Sequence, residues 1–297
     1  MSFTSDVKSE LCKTRPSDRH AEAECYGMLL LCRSFDFNKI LFQTGSEAAA
    51  NRFILLLKQS FGVVAELSTG GTSRKTYSVS VDDKDDLKRI LHRLGYRQSD
   101  EILLKPEVLK IEGSIGAFVR GAFLAGGTLS NPETEYRIDF SFKTEGGARD
   151  FSALLLKRGI VSKITKRANK YLVYIKDSAM LGDVLAFMGA GNETLNLINV
   201  KIYKSVKNRI NRENNCETRN ILKSADAAFA QIKAIKKLKR RGKLELLPEE
   251  LIEAAALRLA NPEASLADLC RISGNRLTRS GLNHRLKRIC EIADEVK

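Results

Sequence analysis

An internal duplication in the first two-thirds of this chain constrains its fold more than any other feature. A turn sequence at Gly70 follows Gly27 by 43 residues, and a second turn at Asn169 follows Gly126 by the same 43 residues. Apolar periodicity and the residues at helix ends predict three helices and three strands in the same order in each half, which we assign to a repeated αββαββα unit. Two joined copies of one unit predict a pseudo-twofold α+β domain.

The predicted elements of the two halves match one another closely. In the first half we expect helices over 18–31, 46–60 and 83–94, with strands over 40–43, 63–67 and 74–81. In the second half we expect helices over 114–126, 144–158 and 178–188, with strands over 136–143, 161–167 and 171–176.

Small residues recur in the first helix of each half. Ala23 and Gly27 are spaced i, i+4, and so are Ala122 and Gly126. Helices that present such residues can pack with their backbones unusually close, because no bulky side chain stands at the crossing. The repeated spacing therefore predicts that these two helices pair.

The second of these helices carries a family signature. Residues 123–127, Phe-Leu-Ala-Gly-Gly, resemble the signature helix of the LAGLIDADG homing endonucleases, and residues 24–29 are a weaker version of it. The resemblance implies that the paired helices form the interface between the halves. It also implies that each helix ends in an acid that binds a catalytic divalent metal, and that the sheets lie along the major groove of DNA.

The acids of that signature are missing from this sequence. Laid on the motif, the acid positions fall on Leu129 in the second half and near Leu30 in the first. Glu133 lies beyond the helix end, and Asp36 is the nearest acid in the first half. Because Mg²⁺ sites need carboxylate ligands, we expect no catalytic residue, no metal site and no cofactor.

The charge of the chain points to a polyanionic partner. Lys and Arg exceed Asp and Glu by 14 residues overall, and residues 201–245 hold fourteen Lys and Arg against four acids. Such a surplus favours nucleic acid first and an acidic membrane surface second. A solvated linker face is the alternative interpretation of this basic stretch.

Other features of the composition limit the location of the protein. No apolar run approaches the roughly 20 residues that cross a bilayer, and the first residues lack the apolar core of a secretory signal. The six cysteines form no Cys-x-x-Cys pair and read as reduced thiols. We therefore expect a cytoplasmic protein that associates with the nucleoid and not with a membrane.

The last third predicts an all-α DNA-binding domain. A helix over 224–241 has a narrow apolar stripe and carries Lys236, Lys237, Arg240 and Arg241. Shorter helices follow over 248–260, 265–270 and 278–291, the last capped by Thr278. A short helix, a turn with Gly274 and a polar-faced helix together form a helix-turn-helix candidate.

The final helix separates into an apolar and a polar face. Leu282, Leu286 and Ile289 share the side expected to pack inward. The opposite side is expected to enter the major groove of double-stranded DNA, because hydroxyl, amide and guanidinium groups read base edges and phosphates. A merely solvated face is the alternative. The predicted DNA-binding residues of this helix are its cap Thr278, then Arg279, Ser280, Asn283, His284 and Lys287 as the nearest contacts, with Arg285 and Arg288 at phosphates.

The whole chain resembles the WhiA sporulation and cell-division regulators of Gram-positive bacteria. The most specific segments are 208–220, with Asn-Cys-Glu-Thr at 215–218, and the stretches 262–266 and 280–286. That family joins a degenerate LAGLIDADG-like domain to a C-terminal helix-turn-helix. The resemblance implies a non-catalytic, sequence-specific DNA-binding protein that acts in transcription, cell division, chromosome segregation and sporulation.

Together these patterns predict five segments and leave other functions open. The LAGLIDADG-like halves are expected over 1–95 and 113–200 with a connector over 96–112, then a basic linker over 201–223 and the helix-turn-helix domain over 224–297. The first alternative is an interaction hub whose LAGLIDADG-like domain docks a transcription or cell-division protein. An active homing endonuclease is less favoured, and RNA binding ranks last because the chain has few aromatic residues.

Overall fold

A computed structural model describes residues 2–15, 17–71, 75–98 and 100–296 of the chain. The chain folds into two compact units, Met1–Tyr203 and Lys204–Lys297, and each has a hydrophobic core of its own. Thr72 and Arg74, which belong to the predicted first hairpin, lie outside the described residues. The first unit is mixed α and β, and the part of the second unit that is described is helical.

The first unit contains the duplicated order of elements that the sequence predicts. The first half comprises α1 (Phe3–Lys13), α2 (Ala21–Leu31), β1 (Ser34–Phe35), β2 (Ile40–Thr44), α3 (Glu47–Phe61), β3 (Glu66–Gly70), β4 (Thr76–Val81) and α4 (Lys84–Arg93). After a short 3₁₀ helix (Pro106–Leu109), the second half comprises α5 (Ser114–Gly126), β5 (Gly127–Leu129), β6 (Ile138–Phe142), α6 (Glu145–Leu156), β7 (Lys163–Arg167), β8 (Lys170–Ile175) and α7 (Ser178–Met188).

Each half builds one antiparallel sheet with the same strand order. The orders are β1-β2-β4-β3 and β5-β6-β8-β7. Phe42 faces Val79 in the first sheet, and Phe140 faces Val173 in the second. Tyr77 and the alternate residues of β4 are buried as the period-two pattern predicts. One face of each sheet therefore joins a core that both halves share.

Side-chain caps fix where the helices behind the sheets begin. The Ser46 hydroxyl accepts a hydrogen bond from the backbone N–H of Ala49, and the Thr144 hydroxyl accepts one from Gly147. These bonds satisfy donors that the first helical turn leaves unpaired. Gly62 ends α3 with a φ of +70°, a backbone conformation that favours glycine.

The two halves meet at a close crossing of α2 and α5. A Cβ on Gly27 would overlap the carbonyl oxygen of Phe118, and a Cβ on Gly121 would overlap the carbonyl oxygen of Glu24. Each glycine thus lies against the residue three positions before the other glycine. The predicted helix pairing is present, but the partner of Gly27 at the crossing is Gly121 and not Gly126.

The reciprocal contacts of Gly27 and Gly121 also set the register between the halves. By this register Cys32 corresponds to Gly126, and these residues stand where α2 and α5 end. The motif alone placed the acid positions of the signature at Leu30 and Leu129. By the register of the crossing, the residues at the helix ends are instead Cys32 and Gly126. Leu129 lies on β5, beyond the end of α5.

A buried ionic triad lies beside the crossing. Glu24 of α2 is fully buried and accepts hydrogen bonds from Arg52 of α3 and Arg120 of α5. The Nη2–Oε2 distances are 3.0 Å to Arg52 and 2.7 Å to Arg120. Arg120 also donates to the Met188 carbonyl at the end of α7. One carboxylate thus joins three helices drawn from both halves.

The second unit packs its helices around a small core. Its elements are the C-terminal part of α8 (Gly191–Arg240), α9 (Glu249–Ala260), α10 (Leu266–Ile272) and α11 (Arg279–Glu295). Ile235, Leu251, Leu269 and Leu286 contribute one buried side chain from each helix. None of the helices in the described residues combines the length and apolarity that crossing a membrane requires.

Two regions differ from the prediction. Residues 201–223, expected as a linker, lie within α8, which begins at Gly191 and not at residue 224. Ile202, Val206 and Ile210 of this stretch recur at helical spacing, but they are exposed, and the many Asn and Arg side chains around them favoured a linker. Helix α1 was also not predicted, although Val7 and Leu11 of that helix are fully buried.

Candidate nucleic-acid interface

Helix α10 and the turn after it are fixed by local hydrogen bonds. Ser265 and Asp268 form a capping box, with two bonds of 3.2 Å between their side chains and backbones. The bonds from Ser265 lower the pKa of Asp268. Gly274 and Asn275 follow with φ values of +69° and +57°, which turn the chain toward α11.

Helix α11 begins at the predicted cap and buries the predicted face. The Thr278 hydroxyl accepts a hydrogen bond of 3.1 Å from the backbone N–H of Gly281. Leu282, Leu286 and Ile289 are fully buried and pack in the core formed with α9 and α10. Because these three residues point inward, the residues on the opposite side of α11 must face solvent.

The outward face of α11 presents polar and basic side chains over its first two and a half turns. Arg279, Asn283 and Lys287 are four residues apart, and Ser280 is three residues before Asn283, so Asn283 is a neighbour of the other three on this side of the helix. The exposed residues on this side are Arg279, Ser280, Asn283, His284, Lys287 and Arg288. Thr278 is exposed too, but its hydroxyl is already engaged in the cap.

Two of the predicted phosphate-binding arginines have ion pairs. Arg285 is half-buried, and its guanidinium lies 3.0 Å from Glu250 and 3.9 Å from Glu253, both on α9. Arg288 pairs with Glu291 one turn further along α11 at 3.1 Å. The Arg285 contacts join α11 to α9, so this side chain has a structural contribution that the sequence did not indicate.

The basic residues at the end of α8 separate into two groups. Lys236, Lys239 and Arg240 share one exposed face and line a shallow surface depression. Lys237 is half-buried, and its Nζ donates a hydrogen bond of 2.9 Å to the Ala293 carbonyl in the last turn of α11. A cation there complements the helix dipole. Arg241 is exposed, just past the end of α8.

This unit contains a buried arginine that the sequence patterns did not predict. Arg258 of α9 is 2% exposed, and it donates hydrogen bonds to Gln231 of α8 at 3.0 Å and to the Ala264 carbonyl at 2.6 Å. Burial lowers the pKa of its guanidinium. Its position continues the apolar spacing of Leu251 and Ala255, so a charged residue on an apolar stripe was the available signal.

The helix ends of the first unit carry no carboxylate, although the resemblance to the homing endonucleases implies one there. Helix α2 ends at Leu31 with Cys32 as its C-cap, and α5 ends at Gly126 with Gly127 as its C-cap. The Cys32 thiol is buried, donates to the Ser34 carbonyl, and has its pKa raised to about 12 by desolvation. These residues supply no hard oxygen ligands from side chains.

The chain matches two known family models and a set of named relatives. The family model of the WhiA C-terminal HTH domain matches residues 210–293, and that of the WhiA LAGLIDADG-like domain matches residues 115–207. The "Probable cell division protein WhiA" of Clostridium botulinum (strain Hall) is 33% identical over 312 residues, covering 100% of this chain and 99% of that protein.

Two solved structures share the fold. The crystal structure of full-length DUF199/WhiA from Thermatoga maritima has a TM-score of 0.59 and 24% identity, covering 99% of each chain. The crystal structure of the N-terminal LAGLIDADG domain of DUF199/WhiA has a TM-score of 0.50 and 20% identity, covering 63% of this chain and 92% of that one.

The duplicated αββαββα domain and the helix-turn-helix unit define a class of protein, a degenerate LAGLIDADG-like scaffold joined to a DNA-binding helix-turn-helix domain. Sequence identity to relatives along the full chain assigns the protein to one family within this class. The chain belongs to the WhiA family.

Proposed function

We propose that this chain is a non-catalytic, sequence-specific DNA-binding protein that regulates transcription in cell division, chromosome segregation and sporulation. It would act in the cytoplasm at the nucleoid, bound to double-stranded DNA. The observation that carries the proposal is the outward face of α11, where Arg279, Ser280, Asn283, His284 and Lys287 are exposed together. The cell-division part is supported by the name of its relatives.

The proposed docking places α11 in the major groove. Arg279 and Asn283 lie in the first turns of the helix, where a recognition helix contacts base edges. Arginine can pair with two acceptors of guanine, and asparagine can pair with adenine through one donor and one acceptor. Arg285 and Arg288 would contribute phosphate contacts from the flanks, in addition to their ion pairs with glutamates.

Replacing Asn283 with alanine should weaken binding to the preferred DNA sequence by about 1–3 kcal/mol, because a lost base contact leaves groups in the groove unpaired. Binding to unrelated DNA should change little. The measurement is fluorescence anisotropy with a duplex selected from genomic fragments and with a scrambled duplex. Arg279→Ala should also weaken the selected duplex within this range.

Asn196→Ala is the matched control, because Asn196 is an exposed asparagine of α8 in the first unit. It should bind both duplexes as the unchanged chain does. If Asn283→Ala and Arg279→Ala both fold and neither changes the affinity, α11 does not dock as proposed. Cleavage of the DNA in Mg²⁺ would contradict the non-catalytic part of the proposal.

The basic face at the end of α8 is proposed to contact phosphates without reading sequence. Changing Lys236, Lys239 and Arg240 together to alanine should weaken all duplexes alike. If each cation neutralises one phosphate, the slope of log affinity against log salt should become shallower by about 2.7. A salt series of anisotropy titrations measures this slope.

A second triple variant tests whether position or only net charge matters. Lys84, Lys88 and Arg89 are exposed cations of α4 in the first unit, and their replacement by alanine removes the same charge. This control should leave the slope nearly unchanged. Loss of binding to the selected duplex alone, with the scrambled duplex unaffected, would show that the α8 face reads sequence and would refute this assignment.

A further inference from the structure

An open cavity of about 830 Å³ lies in the first unit beside the ends of α2 and α5. Both halves contribute to its wall. Leu31 and Arg33 come from the first half, and Gly126 and Lys143 come from the second. The cavity therefore occupies the place where the resemblance to homing endonucleases implies a pair of metal-binding acids.

The charge of this cavity is the reverse of a cation site. Five basic residues line it, namely Lys8, Arg33, Lys143, Arg167 and Lys170. Asp139 is the one acid in its lining within the described part of the chain. Arg137 holds that carboxylate through two nitrogens, with Nε–Oδ2 at 2.8 Å and Nη2–Oδ1 at 2.6 Å. The five cations are therefore not offset by a free carboxylate of the lining.

Lys8 is one of these five cations, and its ammonium group is held by contacts with α5. Its Nζ donates a hydrogen bond of 3.1 Å to the Leu124 carbonyl in the last turn of α5, and it lies 5.6 Å from the centre of the Phe123 ring. Desolvation lowers its pKa to about 8. Among the residues that the structure describes, no carboxylate forms an ion pair with Lys8, so an incoming anion would stabilise its charged form.

The rest of the cavity lining is mixed, with apolar side chains beside the uncharged polar groups of Gln43, Thr128 and Ser141. Leu30 and Leu172 supply carbon surface, and Gly126 and Gly127 bring backbone without side chains. The volume falls within the range of small-molecule sites, which combine an apolar wall with a few charged groups. Lysine and arginine are the side chains that bind phosphate groups best.

We propose that this cavity binds a small molecule that carries phosphate groups on an apolar or aromatic body, which is the chemistry of a nucleotide. The exposed cations Lys143, Arg167 and Lys170 would hold the phosphates, and the apolar surface would cover the ring. A DNA duplex would use only the cations and would leave the apolar side chains of the lining without a partner. The site is separate from the proposed DNA-reading helix, which belongs to the second unit.

Calorimetric titration of the full chain with ATP, GTP, inorganic phosphate and adenosine tests the proposal, in buffer without divalent metal. We expect saturable binding of ATP or GTP, a rise in melting temperature with either nucleotide, and no comparable effect of adenosine. The double variant Lys143→Glu, Arg167→Glu should lower the nucleotide affinity at least about tenfold, because it removes two charge-assisted contacts.

The control is Lys157→Glu, Arg158→Glu, a change of equal charge at exposed residues outside the cavity lining. It should bind nucleotide like the unchanged chain, and both double variants should keep the unchanged melting temperature without ligand. The proposal is overturned if no phosphate-bearing probe binds, if adenosine binds as tightly as ATP, or if both double variants lose binding equally. It is also overturned if Lys143→Glu, Arg167→Glu weakens DNA binding while no nucleotide binds, since the cations would then be DNA contacts.

Discussion

Replacing Gly121 with alanine is expected to lower the free energy of unfolding by about 3 kcal/mol. The new Cβ would overlap the Glu24 carbonyl oxygen, which is backbone and cannot rotate away. The two helices would have to separate, and Phe118 and the residues around it would lose contacts across the crossing. Gly27→Ala should act in the same direction, because its Cβ would meet the Phe118 carbonyl. Urea unfolding of the full chain, followed by circular dichroism, measures both variants.

Gly182 of α7 provides a matched control within the same unit. A Cβ there would approach only Leu197, at 3.9 Å, which is ordinary van der Waals contact. Gly182→Ala should therefore stabilise the protein by about 0.5–1 kcal/mol, the usual gain for alanine over glycine inside a helix. Equal effects of Gly121→Ala and Gly182→Ala would show that the close crossing is not what holds α2 and α5 together.

Replacing Glu24 with glutamine should lower the free energy of unfolding by about 3–5 kcal/mol. The amide has the shape of the carboxylate but not its charge, so the guanidinium groups of Arg52 and Arg120 would remain desolvated without a counter-ion. Both arginines also donate to backbone carbonyls, at Thr14 and Met188, and these bonds keep them in place. Thermal unfolding and the yield of soluble protein measure this loss of stability.

Glu22→Gln is the control for this variant, on the same helix and with the same chemical change. Glu22 pairs with Arg93 at 2.9 Å, but the arginine side chain is 59% exposed. Surface pairs of this kind contribute about 1 kcal/mol or less, so Glu22→Gln should be close to neutral. If Glu24→Gln leaves the stability nearly unchanged, Arg52 and Arg120 must rearrange in the variant so that they no longer need the buried carboxylate.

Local signals in the sequence predicted most of the elements of the first unit. The structure gives α5 as Ser114–Gly126 and α7 as Ser178–Met188, which are the predicted ranges. Both helices combine apolar spacing with clear ends, such as the left-handed Gly189 after α7. The strands β1 and β5 have two and three residues, too few for any periodicity to develop.

The features that could not be predicted from the sequence depend on packing between residues that are far apart in the chain. Both Gly121 and Gly126 were available to meet Gly27, and only the register of the crossing selects the first. For the proposed site, the inward face of α11 followed from its own spacing. The partners of Arg258 and Arg285 did not, because Gln231, Glu250 and Glu253 come from other helices.

The reciprocal crossing also has a consequence for how the two repeats can differ from one another. At Gly27 and Gly121 each copy of the repeat is constrained by the backbone of the other, so neither position can change without disturbing its counterpart. At the helix ends, Cys32 and Gly126 correspond to each other yet differ completely in side chain. Because the two repeats belong to one chain, each helix end can carry its own residue, so the chemistry at the helix ends can vary while the crossing keeps the architecture.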